Sequence, residues 1–291
     1  MYEYFFKKDY LSIEYICNND VFENALFTND GLNKNKEYIL NTFNRCTFSK
    51  VSFNSIELIN SNFNHTVFIK CYFKDIDFIK IKFVNCTFID CDFNNIVMES
   101  CKFYYTEWKE CYIKYESIKD SLPMEYNYRK KLCKTMAKNC LLDDNKVEYL
   151  KFFSEWMRSR EKNYKEIILR RDDYYKRNYK FKDSVIYIGR LGVSKLSGLV
   201  WGYGEKMRNI IISSLITILI YAIIYYKSGE LIEETISNAF YVSLAAFFNI
   251  SSGQTFTNIV YKYLCISEYL FGLIFIGILV AYIFRNISSR D

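Results

Sequence analysis

Residues 83–93 read Phe-Val-Asn-Cys-Thr-Phe-Ile-Asp-Cys-Asp-Phe, a large apolar side chain at every fifth position with a small thiol two places before it. Outward from there the spacing holds without a miss: Phe43, Phe48, Phe53, Leu58, Phe63, Phe68, Phe73, Phe78, Phe83, Phe88, Phe93, Met98, Phe103, Trp108, Ile113, Ile118. Two places before the centres stand small or β-branched residues, among them Cys46, Val51, Ile56, Thr66, Cys71, Ile76 and Cys86. Five is neither the helical nor the strand period, so neither amphipathic element accounts for it. A short fixed period means a solenoid whose units bury their apolar face only by stacking. An earlier fragment, Phe22, Phe27 and Leu32, has the same spacing but is one residue out of phase with the main array.

The pattern over residues 41 to 118 resembles the pentapeptide-repeat family. That resemblance implies a right-handed quadrilateral β-helix with four pentads per coil, so that sixteen centres make four coils. We place this β-helix at residues 41–122, closed by Pro123. Residues 1–40 are read as a cap, with the out-of-phase fragment as an imperfect first coil interrupted by the polar stretch Asp30 to Lys36, and with Tyr2 to Ile16 covering the open end. Some pentapeptide proteins mimic duplex DNA, but residues 41–118 hold nine Lys/Arg against nine Asp/Glu. A neutral surface does not compete with phosphates, so no nucleic-acid role is expected.

Composition narrows the rest. Six of the ten cysteines, Cys46, Cys71, Cys86, Cys91, Cys101 and Cys111, occupy one slot of the repeat, as small buried thiols do. With no CxxC pair and a single histidine, His65, neither a disulfide framework nor a zinc site is expected, and a reducing cytoplasmic setting fits. No signal peptide is read at the start, no cofactor fingerprint is present, and no nucleophile carries a motif, so an enzyme is not expected.

After Pro123 the period becomes helical. Tyr128, Leu132 and Met136 share one face, as do Val147, Leu150 and Phe153, with Leu142-Asp-Asp-Asn-Lys146 between them as turn and cap. Residues 123–188 therefore read as a helical hairpin connector, its second helix basic and reaching toward Arg177. The tract Tyr126-Asn-Tyr-Arg-Lys-Lys-Leu132, with Glu155 and Arg158, looks like a tetratricopeptide-like hairpin. Five of the ten glycines fall in Gly189 to Gly204. Residues 189–206 read as too apolar for a linker and too glycine-rich for a helix. They become an interfacial elbow, with Trp201 and Tyr203 at headgroup depth. No Walker lysine-serine pair follows these glycines.

Residues 207–291 carry two uncharged or nearly uncharged runs, Asn209 to Tyr226 and Leu264 to Phe284, the second with Glu268 near its start. At about 1.5 Å per residue they reach roughly 27 and 31 Å, enough for a hydrocarbon core. Between them an apolar half leads into Asn249-Ile-Ser-Ser-Gly-Gln-Thr255. Irregular backbone at that depth survives only inside protein or against water, which makes it a re-entrant loop. Lys195, Lys206, Arg208, Arg285 and Arg290 flank the pair, while between the spans Lys227 and Lys262 stand against Glu230, Glu233 and Glu234. The positive-inside rule then puts both termini in the cytoplasm of a multi-pass protein of the cell membrane.

Ala239 to Phe248, the loop, and Ser267-Glu-Tyr-Leu-Phe-Gly272 resemble the pore module of two-transmembrane potassium channels. The resemblance implies a homotetramer passing a monovalent cation. It lays the selectivity filter on Asn249, Ile250, Ser251, Ser252, Gly253 and Gln254, where the family has Thr-Val-Gly-Tyr-Gly-Asp. Backbone carbonyls in strained conformations replace the hydration shell in that filter, and Ser251 and Ser252 replace its first glycine and its bracing aromatic. We therefore expect a weakly selective pore, with Ser hydroxyls or the Asn249 amide forming a wider site. Glu268 reads as a bracket behind the pore helix, and Gly272 and Gly277 as hinges or packing positions. Ile276, Val280 and Phe284, at i+4 spacing, form a candidate constriction. The expected protein is thus a multidomain membrane protein in which β-helix, helical hairpin and two-helix pore follow one another. A cytosolic protein or a small molecule would trigger it through the β-helix. Two further readings share the sequence: a non-conducting scaffold anchored in the membrane, and a membrane-depolarising defence effector.

Overall fold

The computed structural model describes residues 10–11, 21–23, 26–28, 38–39, 42–55 and 57–288. They divide into two units, Met1–Tyr175 and Lys176–Asp291.

The first unit is a β-solenoid followed by helices. Three-residue strands run from Thr42–Asn44 to Glu107–Lys109, fourteen in succession, and each of the first ten pairs in parallel with the strand 20 residues on. Four sheets result, so a turn takes four strands and the fourteen make three full turns and half of another. The centre residues point inward and stack in columns. Phe48, Phe68, Phe88 and Trp108 lie ring over ring at 5.1, 4.7 and 4.3 Å, and Phe53, Phe73 and Phe93 at 5.0 and 4.8 Å. Neighbouring columns meet edge to face, as Phe68 does with Phe73 at 5.7 Å. Both geometries are favoured by the ring quadrupole.

The position two before each centre has its own logic. Cys71, Cys86 and Cys101 donate their thiols to the carbonyls of Phe48, Phe63 and Phe78 in the preceding coil, at 3.3, 3.2 and 3.2 Å. Thr106 does the same to Phe83 at 3.2 Å. A small side chain with a weak donor fits where a larger one would part the coils. Nine cysteines among the described residues are thiols rather than disulfides.

Each corner is turned by one residue at positive φ, fourteen in a row from Arg45 (φ 57°) to Glu110 (φ 52°), none a glycine and none β-branched. The left-handed region excludes branched side chains most strongly. From Arg45 to Asp90 the N–H of each such residue is used by the next coil, as Lys80 donates to the Glu99 carbonyl at 2.8 Å.

The spacing predicts sixteen pentad strands in four coils, and the structure corrects this at the C-terminal end. Ile113 and Ile118 remain buried but end the solenoid rather than continuing it: Tyr112 makes only an isolated bridge to Asp92, and Ile118 closes the short helix α1 (Tyr115–Ile118). A 3-10 turn at Lys119–Ser121 then places Ser121 over the last coil, where its hydroxyl donates to Met98 O (2.8 Å) and accepts from Cys101 N (2.9 Å). An open sheet edge is thereby covered.

Before Thr42, the strands Val21–Glu23 and Leu26–Thr28 pair in register with the array, Phe22 opposite Phe48 and Phe27 opposite Phe53, an offset of 26 residues. By Tyr38–Ile39 the offset is 20, Ile39 opposite Ile59. Six extra residues between Thr28 and Tyr38 thus explain why the first coil is out of phase. Leu32 and most of the expected cap at Tyr2 to Ile16 lie outside the described residues.

The helical hairpin is α2 (Tyr126–Leu142) and α3 (Lys146–Leu169), with Asn145 capping α3 by accepting from Glu148 N at 3.1 Å. Leu132, Met136 and Phe152 join the solenoid core. The expected face of α3 is wrong: Val147 and Leu150 are exposed, and the helix turns Glu148 and Phe152 inward instead. The cause is Glu148, whose carboxylate accepts the Tyr115 N–H at the start of α1 (2.6 Å). Arg129 fastens the other side, donating to Pro123 O at 2.6 Å and pairing with Glu155 at 3.4 Å. The second helix does not run toward Arg177. Arg170, at φ 46°, ends it, and the short α4 (Asp173–Asn178) follows.

In the second unit, α5 (Phe181–Trp201) overturns the non-helical elbow expected at residues 189–206. Gly189, Gly192 and Gly198 lie within this helix, whose aliphatic residues outweigh their low propensity, and the break is confined to Gly202 at φ 57° and the turn after it. Then come α6 (Met207–Tyr226), α7 (Ile236–Phe247) and α8 (Ile259–Ser288), packed together.

Candidate functional site

Two of these helices are long and apolar enough to cross a membrane, Met207–Tyr226 and Ile259–Phe284, with 22% and 17% of their spanning stretches buried. Between them α7 is short, and its inward face is small residues up to a terminal phenylalanine: Ala239, Val242, Ser243, Ala245, Ala246 and Phe247 are all buried. Thr235 caps its start, accepting from Asn238 N at 3.2 Å.

Glu268 has no exposed surface and joins all three helices. The Tyr225 hydroxyl of α6 donates to one carboxylate oxygen at 2.7 Å, and Ser243 Oγ of α7 meets the other. Ser243 Oγ also lies 2.8 Å from the Ile218 carbonyl, so α6 and α7 are tied twice around this one residue. Beside it, Tyr221 and Ser267 share a hydroxyl pair at 2.7 Å. These partners were invisible in the sequence; uncharged hydroxyl residues inside apolar runs were the only signal.

Asn249 and Ile250 end α7 as a Schellman motif. Ile250 N donates to Ala245 O at 2.8 Å and Asn249 N to Ala246 O at 3.0 Å, with Asn249 left-handed at φ 57°. Asparagine is the commonest substitute for glycine in that position. Beyond the motif Ile250, Ser251 and Gly253 are exposed, Gly253 at φ 72°, while Ser252 is half-buried. Gln254 is a brace. Its amide donates to Glu230 O at 2.8 Å and accepts from Ile232 N at 3.0 Å, both in the α6–α7 connection. The Glu230 carboxylate in turn accepts from Thr257 N (2.7 Å) and Asn258 N (3.2 Å) ahead of α8. Burial pushes the Glu230 carboxyl up, but the N–H groups of Asn258 and Thr257 outweigh it and hold it below the usual carboxylate range. Residues 249–258 are therefore a loop held at both ends and open in the middle.

On α8, Gly272 is buried, and a Cβ there would collide with the carbonyl of Phe247, the last residue of α7. Gly277 has open space around it. Ile276 is half-buried, while Val280 and Phe284 are exposed, so the three are not gathered into one cluster within the chain. Among the described residues no group of acidic, histidine and cysteine side chains is arranged to hold a metal.

A family model described as pentapeptide repeat region matches residues 46–122. The match covers most of the β-solenoid and runs on through α1 and the 3-10 turn that end it. No curated protein matches the chain.

Proposed function

We propose that the chain is one subunit of an ion pore, with α6 and α8 crossing the membrane, α7 entering it part way, and residues 249–254 lining the ion path. The observation that carries this reading is Glu268, a carboxyl sealed among hydroxyls at the junction of three helices whose outer faces are bare of polar cover. A core helix of a water-soluble protein is mostly buried, whereas α6 and α8 leave about four-fifths of their spanning stretches open. Aliphatic surface of that extent belongs against lipid.

Two spans and one re-entrant segment are too few to enclose a path, so copies must assemble, and the resemblance to two-transmembrane potassium channels makes the number four. The C-terminal end of α7 opens onto the loop and carries partial negative charge, which favours a cation. Without the filter's glycine and tyrosine, discrimination between potassium and sodium is weak. Both termini are cytoplasmic on this reading. The solenoid and hairpin bind a cytosolic trigger and pass it to the pore through α5.

Current through the purified protein in planar bilayers tests the proposal. A reversal potential near the cation equilibrium, with a potassium/sodium ratio that S251A or S252A alters, supports it. Silence from both the full chain and residues 176–291 favours the anchored scaffold, for which the altered filter positions already speak. A solenoid-deleted protein gating as the full chain does would separate the pore from its proposed sensor. Growth arrest on opening in cells would mark the defence effector.

A further inference from the structure

Helix α5 wears its polarity inside out. Ser184 and Ser194 are each only 6% exposed, while Phe181, Val185, Ile188, Val193, Leu196 and Leu199 are 56–75% exposed. At 100° per residue these six side chains fall in one arc of roughly 140°. Gly189 and Gly192 lie in the same arc, with nothing within 4 Å of where a Cβ would stand. A helix packed in water does the reverse, burying its apolar stripe and wetting its serines.

The arc continues an apolar surface. After the Gly202 turn, Ile211, Ile212, Leu215 and Ile216 of α6 are exposed as well. The helices are pinned together, Asn209 Nδ2 donating to Leu199 O at 3.2 Å and Ser213 Oγ to Val200 O at 2.9 Å. A crevice of about 400 Å3 lined by Leu199, Ile212, Ile216 and Phe275 joins the two surfaces. Charge sets the occupant. Lys182 lies within the arc and Arg190 beside it, and the one acid of the helix, Asp183, accepts the Lys180 N–H at 2.7 Å.

We propose that α5 lies along the surface of an anionic bilayer, its aliphatic arc at the headgroup–acyl boundary and Lys182 and Arg190 reaching up to lipid phosphates. An amphipathic helix of this composition binds there through buried apolar area plus attraction to anionic lipid. Long basic stems can lie on apolar surface while their charges stay at phosphate level. The inference rests on reading α6 and α8 as membrane spans. It moves the lipid contact from Trp201 and Tyr203, both half-buried, to the aliphatic face before them.

The test places a photo-crosslinking benzoylphenylalanine at position 196 or, as a control on α6, at position 219 of the full chain. The protein is reconstituted in phosphatidylcholine vesicles with and without phosphatidylserine, and adducts are weighed. Phospholipid adducts at both positions are expected, with the yield at 196 higher when phosphatidylserine is present and several-fold lower in K182Q/R190Q. Lipid at 219 with a subunit–subunit adduct, or no adduct, at 196 overturns the proposal and leaves the membrane reading intact. Absence of lipid at both positions overturns the membrane reading itself.

Discussion

Gly272 of α8 rests directly on the Phe247 carbonyl at the end of α7, with no room for a Cβ between them. The two helices touch backbone to backbone at the point where α7 gives way to the Asn249–Gln254 loop.

Gly272→Ala should therefore destabilise the second unit by about 1–3 kcal/mol, the usual cost of forcing atoms into a packed interface. Gly277→Ala meets open space and should gain roughly 0.5–1 kcal/mol from helix propensity. Thermal unfolding of the two variants in one detergent checks the contrast; equal behaviour would remove the packing role of Gly272.

Glu268→Gln should be tolerated, because the amide accepts from Tyr225 and donates to Ser243, which donates to Ile218 O. Glu268→Ala strands the buried Tyr225 hydroxyl, while Ser243 keeps the Ile218 carbonyl. At about 1–3 kcal/mol for an unsatisfied group, it should lower the midpoint below that of Glu268→Gln. The order of the two melting temperatures decides it.

At the solenoid corners, Lys80 holds φ 56° with an exposed side chain. Lys80→Val should cost at least roughly 1–2 kcal/mol, since a branched residue resists the left-handed region. Lys80→Gly should be neutral or stabilising. Urea titration of residues 1–175, followed by circular dichroism, distinguishes them.

Burial pushes the thiols of Cys86 and Cys101 up to about 11, and those of Cys133 and Cys140 up to about 12, from an ordinary value of 9.0. A folded-state value raised above the unfolded one means the contribution is complete below pH 9 and lost as pH rises through 11 to 12. By pH 10 each thiol should have surrendered roughly 1 kcal/mol. Denaturation midpoints should fall between pH 8 and pH 10.5, and by less in Cys133→Ala than in the parent when each is compared with its own value at pH 8. The same thiols should ignore iodoacetamide until the protein unfolds.

The sequence by itself determined the solenoid, because a five-residue period fits neither helix nor strand and buries its apolar centres only by stacking units; four pentads per coil was what the family resemblance implied. It also determined the two long apolar helices and the short one between them, since length and lack of charge suffice to place them. What it could not contain was where the repeat stops and what covers its end. Ile113 and Ile118 obey the period to the last, yet Ser121 and Glu148 cap the coil by hydrogen bonds to residues 20 to 33 positions away. The same limit misplaced the inward face of α3 and hid the helix in residues 181–201, where glycine content argued against it and neighbouring aliphatic residues prevailed. At the candidate pore, tertiary structure alone brought Tyr225 and Ser243 onto Glu268 and aimed Gln254 back at Glu230 and Ile232. Those contacts join segments with no shared periodicity, and only the packing of α6, α7 and α8 brings them within hydrogen-bond reach.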